Sequence, residues 1–140
     1  MVRSFNPYVL GIVALTFAVF ASSRMALAQT AFNVDHKSVA SADHTVDTLT
    51  GEITCAAGDS AVVAADVIQA KSGTIGFGIT ATLTCTGSSQ SWSLDVPVVF
   101  PATGEYDNGP ATAVATGEDV TAGTFLEVVD GIVITGANNH

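Results

Sequence analysis

The chain has 140 residues, 13 of them acidic, 4 basic and 2 cysteine. That length suits one small domain. The acidic balance excludes the basic surface that nucleic acid or an anionic membrane requires.

Met1 to Ala28 reads as a secretory signal peptide. Arg3 and the free amine form a positive start, and Tyr8 to Ala21 is an apolar stretch. Ala26-Leu27-Ala28 is a small-x-small cleavage site that leaves Gln29 as the new terminus. An uncleaved anchor is the alternative. The apolar run is shorter than the roughly 20 residues of a spanning helix, and Arg24 ends it early. No cysteine follows the apolar run to take a lipid, and Arg3 and Arg24 are too far apart for a twin-arginine signal. Cleavage removes Arg3 and Arg24 but no carboxylate. Lys37 and Lys71 then face all 13 acidic residues, a charge of −11 on a mature domain of 112 residues, 29–140. Such a surface favours solubility and dispersal.

After the leader the residues predict strands and no helix. Val, Ile, Thr and Phe occur in short runs cut by Gly, Asp, Asn and Pro. About seven strands are expected: Phe32 to Val39, Val46 to Cys55, Ala61 to Ala70, Thr74 to Cys85, Ser91 to Phe100, Ala111 to Glu118 and Thr124 to Thr135. Spacing and turn signals point to an all-β antiparallel sandwich. In the fourth strand Phe77, Ile79, Ala81, Leu83 and Cys85 share the apolar face, and Gly76, Gly78 and three threonines the other. In the fifth, Trp92, Leu94, Val96, Val98 and Phe100 point inward. Pro97 argues for an edge strand or bulge, and Gly131 for a bulge or kink. Ala57 to Ser60 and Lys71 to Gly73 are short enough for hairpins, and residues 101–110 form the longest loop.

Export delivers Cys55 and Cys85 to an oxidising space, so a disulfide is expected. Two thiolates without a nearby histidine make a poor zinc site. Closing their 30-residue loop contributes roughly 3–4 kcal/mol in the chain-entropy account. Both cysteines end upward strands. Alternate strands of a flat meander lie about 10 Å apart, beyond the roughly 4.4–6.8 Å that a disulfide allows between Cα atoms. The bridge therefore joins opposite sheets, or strands that are not meander neighbours, and a Greek key follows.

Antibody-type domains place a tryptophan between their cysteines and a tyrosine two residues before the second. Here Trp92 follows Cys85, and Leu83 holds the tyrosine position. The runs TGEITC, VIQ, CTGSSQSWSLDV and NGPATAVAT are closer to another pattern. With Gly51, Cys55, Gln69, Cys85, Gly87, Trp92, Val96, Gly109, Ala111 and Ala113 as the matching positions, the chain resembles uncharacterised small exported bacterial Ig-like domains over about Gly51 to Thr116. The resemblance implies a disulfide-linked Ig-like sandwich and export. It implies no catalytic residue.

Trp92 opens an apolar face and is expected in the core, with a sugar-stacking platform as the alternative. Gln69 ends a strand and is expected to bond loop backbone. Asp35-His36 and Asp43-His44 pair carboxylate with imidazole, a donor set for zinc or copper, but lack a third nearby ligand. Solvated polar dipeptides are the plainer reading. Glu105, Asp107 and Asn108 lie in the longest loop between Gly104 and Gly109 and are the calcium candidates, although Asp-Asn-Gly is also ordinary turn chemistry. Glu118 and Asp119 join them only if the fold brings them close. No nucleophile elbow, zincin or paired-carboxylate motif is present.

The sequence thus predicts an exported, non-catalytic domain without a cofactor, secreted, periplasmic or at the cell surface. It acts as a binding or structural module with a protein or glycan ligand. One alternative is a self-associating filament or adhesin subunit assembled by strand exchange, with Gln29 to Val39 as donor. The other is a small metal-assisted hydrolase built on His36 or His44.

Overall fold

The structure, a computed structural model, describes residues 31–136; the expected leader lies outside them. The described residues form nine strands and no helix. They are β1 (Ala31–Val34), β2 (Lys37–Ala40), β3 (Val46–Thr54), β4 (Ser60–Gln69), β5 (Thr74–Ile79), β6 (Leu83–Thr84), β7 (Gln90–Phe100), β8 (Gly109–Asp119) and β9 (Thr124–Thr135).

Hydrogen bonds join the strands in one sheet, in the order β1-β3-β2-β9-β8-β4-β5-β7. The further pairing of β3 with β7 closes a barrel of seven strands, β3-β7-β5-β4-β8-β9-β2. The predicted first strand is broken at Asp35-His36 into β1 and β2, both of which pair with β3. The sheet is not wholly antiparallel. Lys37 to Val39 run parallel to Val133 to Thr135, because both β2 and β9 descend to the same end of the barrel.

Cys55 and Cys85 meet at the upper end, with Cα atoms 5.5 Å apart. They end β3 and β6, which do not pair with each other, so the expected non-meander bridge is present. Ala57 to Ser60 is no hairpin, since β3 and β4 are unpaired. Lys71 to Gly73 does close one, between β4 and β5.

The inside of the barrel is narrow, and its side chains show how it is filled. The β4 and β8 walls contribute small residues, Ala61, Ala65, Ala111, Ala113 and Ala115, all buried. The opposite wall contributes Leu49, Ile53, Leu94 and Val96. Phe32 and Trp92 stack near the top with ring centroids 5.5 Å apart. Trp92 is core, as its alternation predicts. Its ring lies against Gly51: a Cβ there would stand 2.6 Å from the Trp92 Cζ2 atom. At the bottom Tyr106 is wholly buried, and a Cβ on Gly76 would collide with its hydroxyl.

These close approaches overturn the predicted facing of β5. Thr74, Gly76 and Gly78 point inward, while Ile75, Phe77 and Ile79 point out. The interior over β7 has room for backbone and Tyr106, but not for a row of branched side chains beside them. The predicted strand to Cys85 also breaks after Ile79 and resumes only as β6. Phe100 turns outward as well. Ile75 pairs with Phe100 but Gly76 with Val98, so a bulge adds one residue on β7 and reverses the facing beyond it. Pro97 lies beside that bulge, although β7 is flanked on both sides and is no edge. Gly131 causes no bulge, since the β8–β9 register runs unbroken through Thr112 and Gly131.

Replacing Gly76 with alanine should destabilise the oxidised protein by roughly 2–3 kcal/mol through overpacking. The cost should fall in a Tyr106→Phe background, which removes the nearest obstructing atom. Denaturant unfolding of the four proteins in this cycle measures both effects. Additive costs would mean that the two residues do not touch.

Candidate functional site

Two regions carry unusual chemistry: the floor of the barrel and the outer face of β5, β4, β8 and β9.

The floor is the loop 101–108. Tyr106 enters the barrel from it, and three sets of bonds hold it there. The Tyr106 N–H donates to the His44 carbonyl at 2.8 Å, and its hydroxyl donates to the Val96 carbonyl at 3.1 Å. Gln69 reaches from the end of β4 and clamps Asp107 twice. Its Nε2 donates to the Asp107 carbonyl at 2.7 Å, and its Oε1 accepts from the Asp107 N–H at 2.8 Å. The Thr74 hydroxyl donates to the Glu105 carbonyl at 2.8 Å. The predicted loop-bonding role of Gln69 is therefore present. The calcium candidates Glu105 and Asp107 give their backbone to this clamp, and Asn108 adjoins it.

Asp47 lies on the inner side of β3 and is fully buried, and neither carboxylate oxygen has a hydrogen-bond partner. Burial pushes its carboxyl from the ordinary 3.8 up to about 6; the Ser38 hydroxyl opposes this only weakly, since it does not meet hydrogen-bond geometry. Burial also raises the Tyr106 phenol, and the negative charge of Asp47 adds to the effect. Sequence reading missed both residues. Tyr106 carried a signal: it is the one large aromatic in an otherwise polar loop.

The two Asp-His pairs lie at opposite ends of β2. The Asp35 carboxylate accepts from the Thr50 hydroxyl at 2.6 Å, and His36 Nδ1 lies 3.0 Å from Asp130 Oδ2 on β9. Asp43 accepts from the Ser41 hydroxyl at 2.6 Å, which with Thr45 holds its carboxyl below the usual range. His44 takes a left-handed backbone, φ 64°, in the turn before β3. Among the described residues no three His, Cys, Asp or Glu side chains gather as a metal-binding group. Asp119 instead caps the turn after β8, its Oδ1 accepting from the Ala122 N–H at 2.9 Å. At the same end burial raises the Asp59 carboxyl, and a hydrogen bond and repulsion from Asp119 raise it further.

The outer face follows from strand register. Side chains opposite one another across an antiparallel pair share a face. One row runs Phe77, Asp66, Val114, Val129, and the row above it Ile79, Ala64, Thr116, Glu127. Below lie Phe100, Ile75 and Ile68, and the top row carries Val62, Glu118 and Phe125. Phe125 is 68% exposed, Val129 64%, Ile79 60% and Phe77 45%. No lysine or arginine stands in these rows; Lys71 lies in the turn beyond the lowest.

No protein-family model matches the chain, and a search of curated proteins finds no relative. The disulfide indicates a setting that does not reduce it. No helix among the described residues is long and apolar enough to cross a membrane.

Two predictions follow from the floor. Asp47 carries a folded-state pKa above its ordinary value, so its contribution is most favourable below about pH 4 and is lost as pH rises through about 6. The loss amounts to about 3 kcal/mol. Asp47→Asn should therefore stabilise the protein by about 2 kcal/mol at pH 7.5 and little at pH 4. Unfolding curves across that range should diverge between the two proteins, and parallel curves would refute the assignment. Gln69→Leu strips Asp107 of two partners and should cost roughly 2–3 kcal/mol. Faster amide exchange at Asp107 should accompany it.

Proposed function

We propose that this chain is an exported, non-catalytic binding module whose working surface is the outer face of β5, β4, β8 and β9. One observation carries the reading: large apolar side chains stand exposed in adjoining rows of a rigid sheet. Contiguous apolar surface of this kind marks an interaction site, whereas scattered apolar residues do not. The disulfide and the clamped loop keep that sheet in shape, so little ordering entropy opposes binding.

The finer architecture belongs to the same proposal. Three junctions of the barrel are thin: three register pairs join β2 to β9, two join β2 to β3, and two join β5 to β7. They set a β1-β3-β7 half apart from a β5-β4-β8-β9 half, with the short β2 as the link between them. An Ig-like sandwich pinched shut at its corners accounts for this, in keeping with the resemblance to small exported Ig-like bacterial domains. Cleavage after Ala28, a single domain over 29–140 and a secreted, periplasmic or surface destination complete the proposal.

Photo-crosslinking in the producing cells tests it. A photoreactive residue at position 77 should yield adducts, and one at Ser91 on β7 should not. Equal yields at both positions, or none at 77, would count against a working surface here.

A filament subunit is the second reading, and the barrel wall gives it one observation. On the side away from β8, only Val133 to Thr135 of β9 have a strand partner among the described residues. β1 lies beside β9 on this side without pairing with it, and in strand exchange a segment of another chain would take its place. SDS-resistant, heat-labile multimers would favour this reading; a clean monomer would count against it.

A further inference from the structure

We propose that the outer face of β5, β4, β8 and β9 docks a protein whose own surface combines apolar side chains with lysine or arginine. This rests on the binding-module reading and names the partner's chemistry.

Three carboxylates stand within the apolar rows. Asp66 sits between Phe77 and Val114, Glu118 between Val62 and Phe125, and Glu127 next to Thr116. The ion pair found among the described residues joins His36 to Asp130. Among the described residues Asp66, Glu118 and Glu127 therefore have no ion-pair partner. Among the described residues no hydrogen bond holds their side chains once water leaves.

That arrangement selects the occupant. A wholly apolar partner would strip water from Asp66 and leave the charge unpaired, a penalty of several kcal/mol. A second copy of the chain would set a −11 domain against another, with Asp66 facing the same acidic rows. It could answer with Lys37 and Lys71 alone, and neither stands in these rows. An anionic bilayer is repelled for the same reason. An uncharged glycan satisfies hydrogen bonds but neutralises nothing. A basic, apolar protein surface covers the isoleucines and phenylalanines and pairs the carboxylates together, which gives both affinity and faster encounter at low salt.

The test uses the oxidised, processed protein and two synthetic peptides, one alternating leucine with lysine and one alternating leucine with glutamate. Amide shift mapping locates binding, and titration measures it. The lysine peptide should bind at β5 and β4, around Phe77 and Asp66, at least roughly tenfold tighter than the glutamate peptide. Asp66→Lys should weaken it about tenfold, as should raising salt to about 0.5 M. Phe77→Ser, a change on the exposed side of β5, should leave folding intact and weaken both peptides. Equal binding of the two peptides at this face would overturn the inference and leave the binding-module reading standing. No binding, or shifts confined to β3 and β7, would overturn both. Dimerisation through this face at micromolar concentration, or binding of neutral vesicles or glycans in place of the lysine peptide, would also overturn it.

Discussion

A closed barrel of seven strands has little room inside, and bulky rings enter it only where the wall presents no side chain. Gly51 makes that place for Trp92, and Gly76 makes it for Tyr106. The alanines of β4 and β8 widen the space from the other side. Most other features follow. Tyr106 and the β7 backbone at Asp95 and Pro97 leave no space for a side chain at Gly76 or Gly78, so the glycines of β5 turn inward. Its isoleucines and phenylalanine then have no place but the outside. The exposed apolar face is thus a consequence of how the interior is packed.

The floor follows from the same economy of space. Tyr106 fills the lower end, and the loop that carries it is held by backbone bonds to Gln69, Thr74 and His44. Two of the calcium candidates, Glu105 and Asp107, give their backbone groups to this anchoring. The cost of the arrangement is visible in Asp47, Ser38 and the Trp92 indole N–H, which are buried without partners. A few such groups are tolerable in a domain stapled by a disulfide, since the bridge lowers the entropy of the unfolded chain. Asp47 makes the floor the part of the fold most sensitive to pH.

Much of the strand pattern was legible because it is local. β3, β4, β7 and β9 begin and end within a residue or so of the turn signals, and the pairing of Cys55 with Cys85 followed from compartment and strand direction. What failed was facing. In β5 the alternation of Phe77 and Ile79 with glycine is strong, but alternation reports only that two faces differ. Which one is buried depends on space set by Tyr106 and by the β7 backbone at Asp95 and Pro97, distant in sequence. Phe100 failed through one added residue, and the parallel match of β2 with β9 depends on barrel closure, which no local pattern encodes. The site was harder still. Its rows join residues from four strands, and Phe77, Ile79 and Phe100 looked like ordinary core positions when read alone. Asp66 gains meaning only from Phe77 and Val114 on either side.

The exposed apolar face exists only if the glycines of β5 point inward, and proton–proton distances measured by NMR read that facing directly. Strong cross-peaks should join the Tyr106 ring protons to the Gly76 α-protons, and the Trp92 ring to Gly51, while the Phe77 ring shows none to Val67 or Ala65. Cross-peaks from Phe77 and Ile79 to those core residues, with the Gly76 α-protons free of Tyr106, would place the apolar row inside and leave no exposed apolar face on β5.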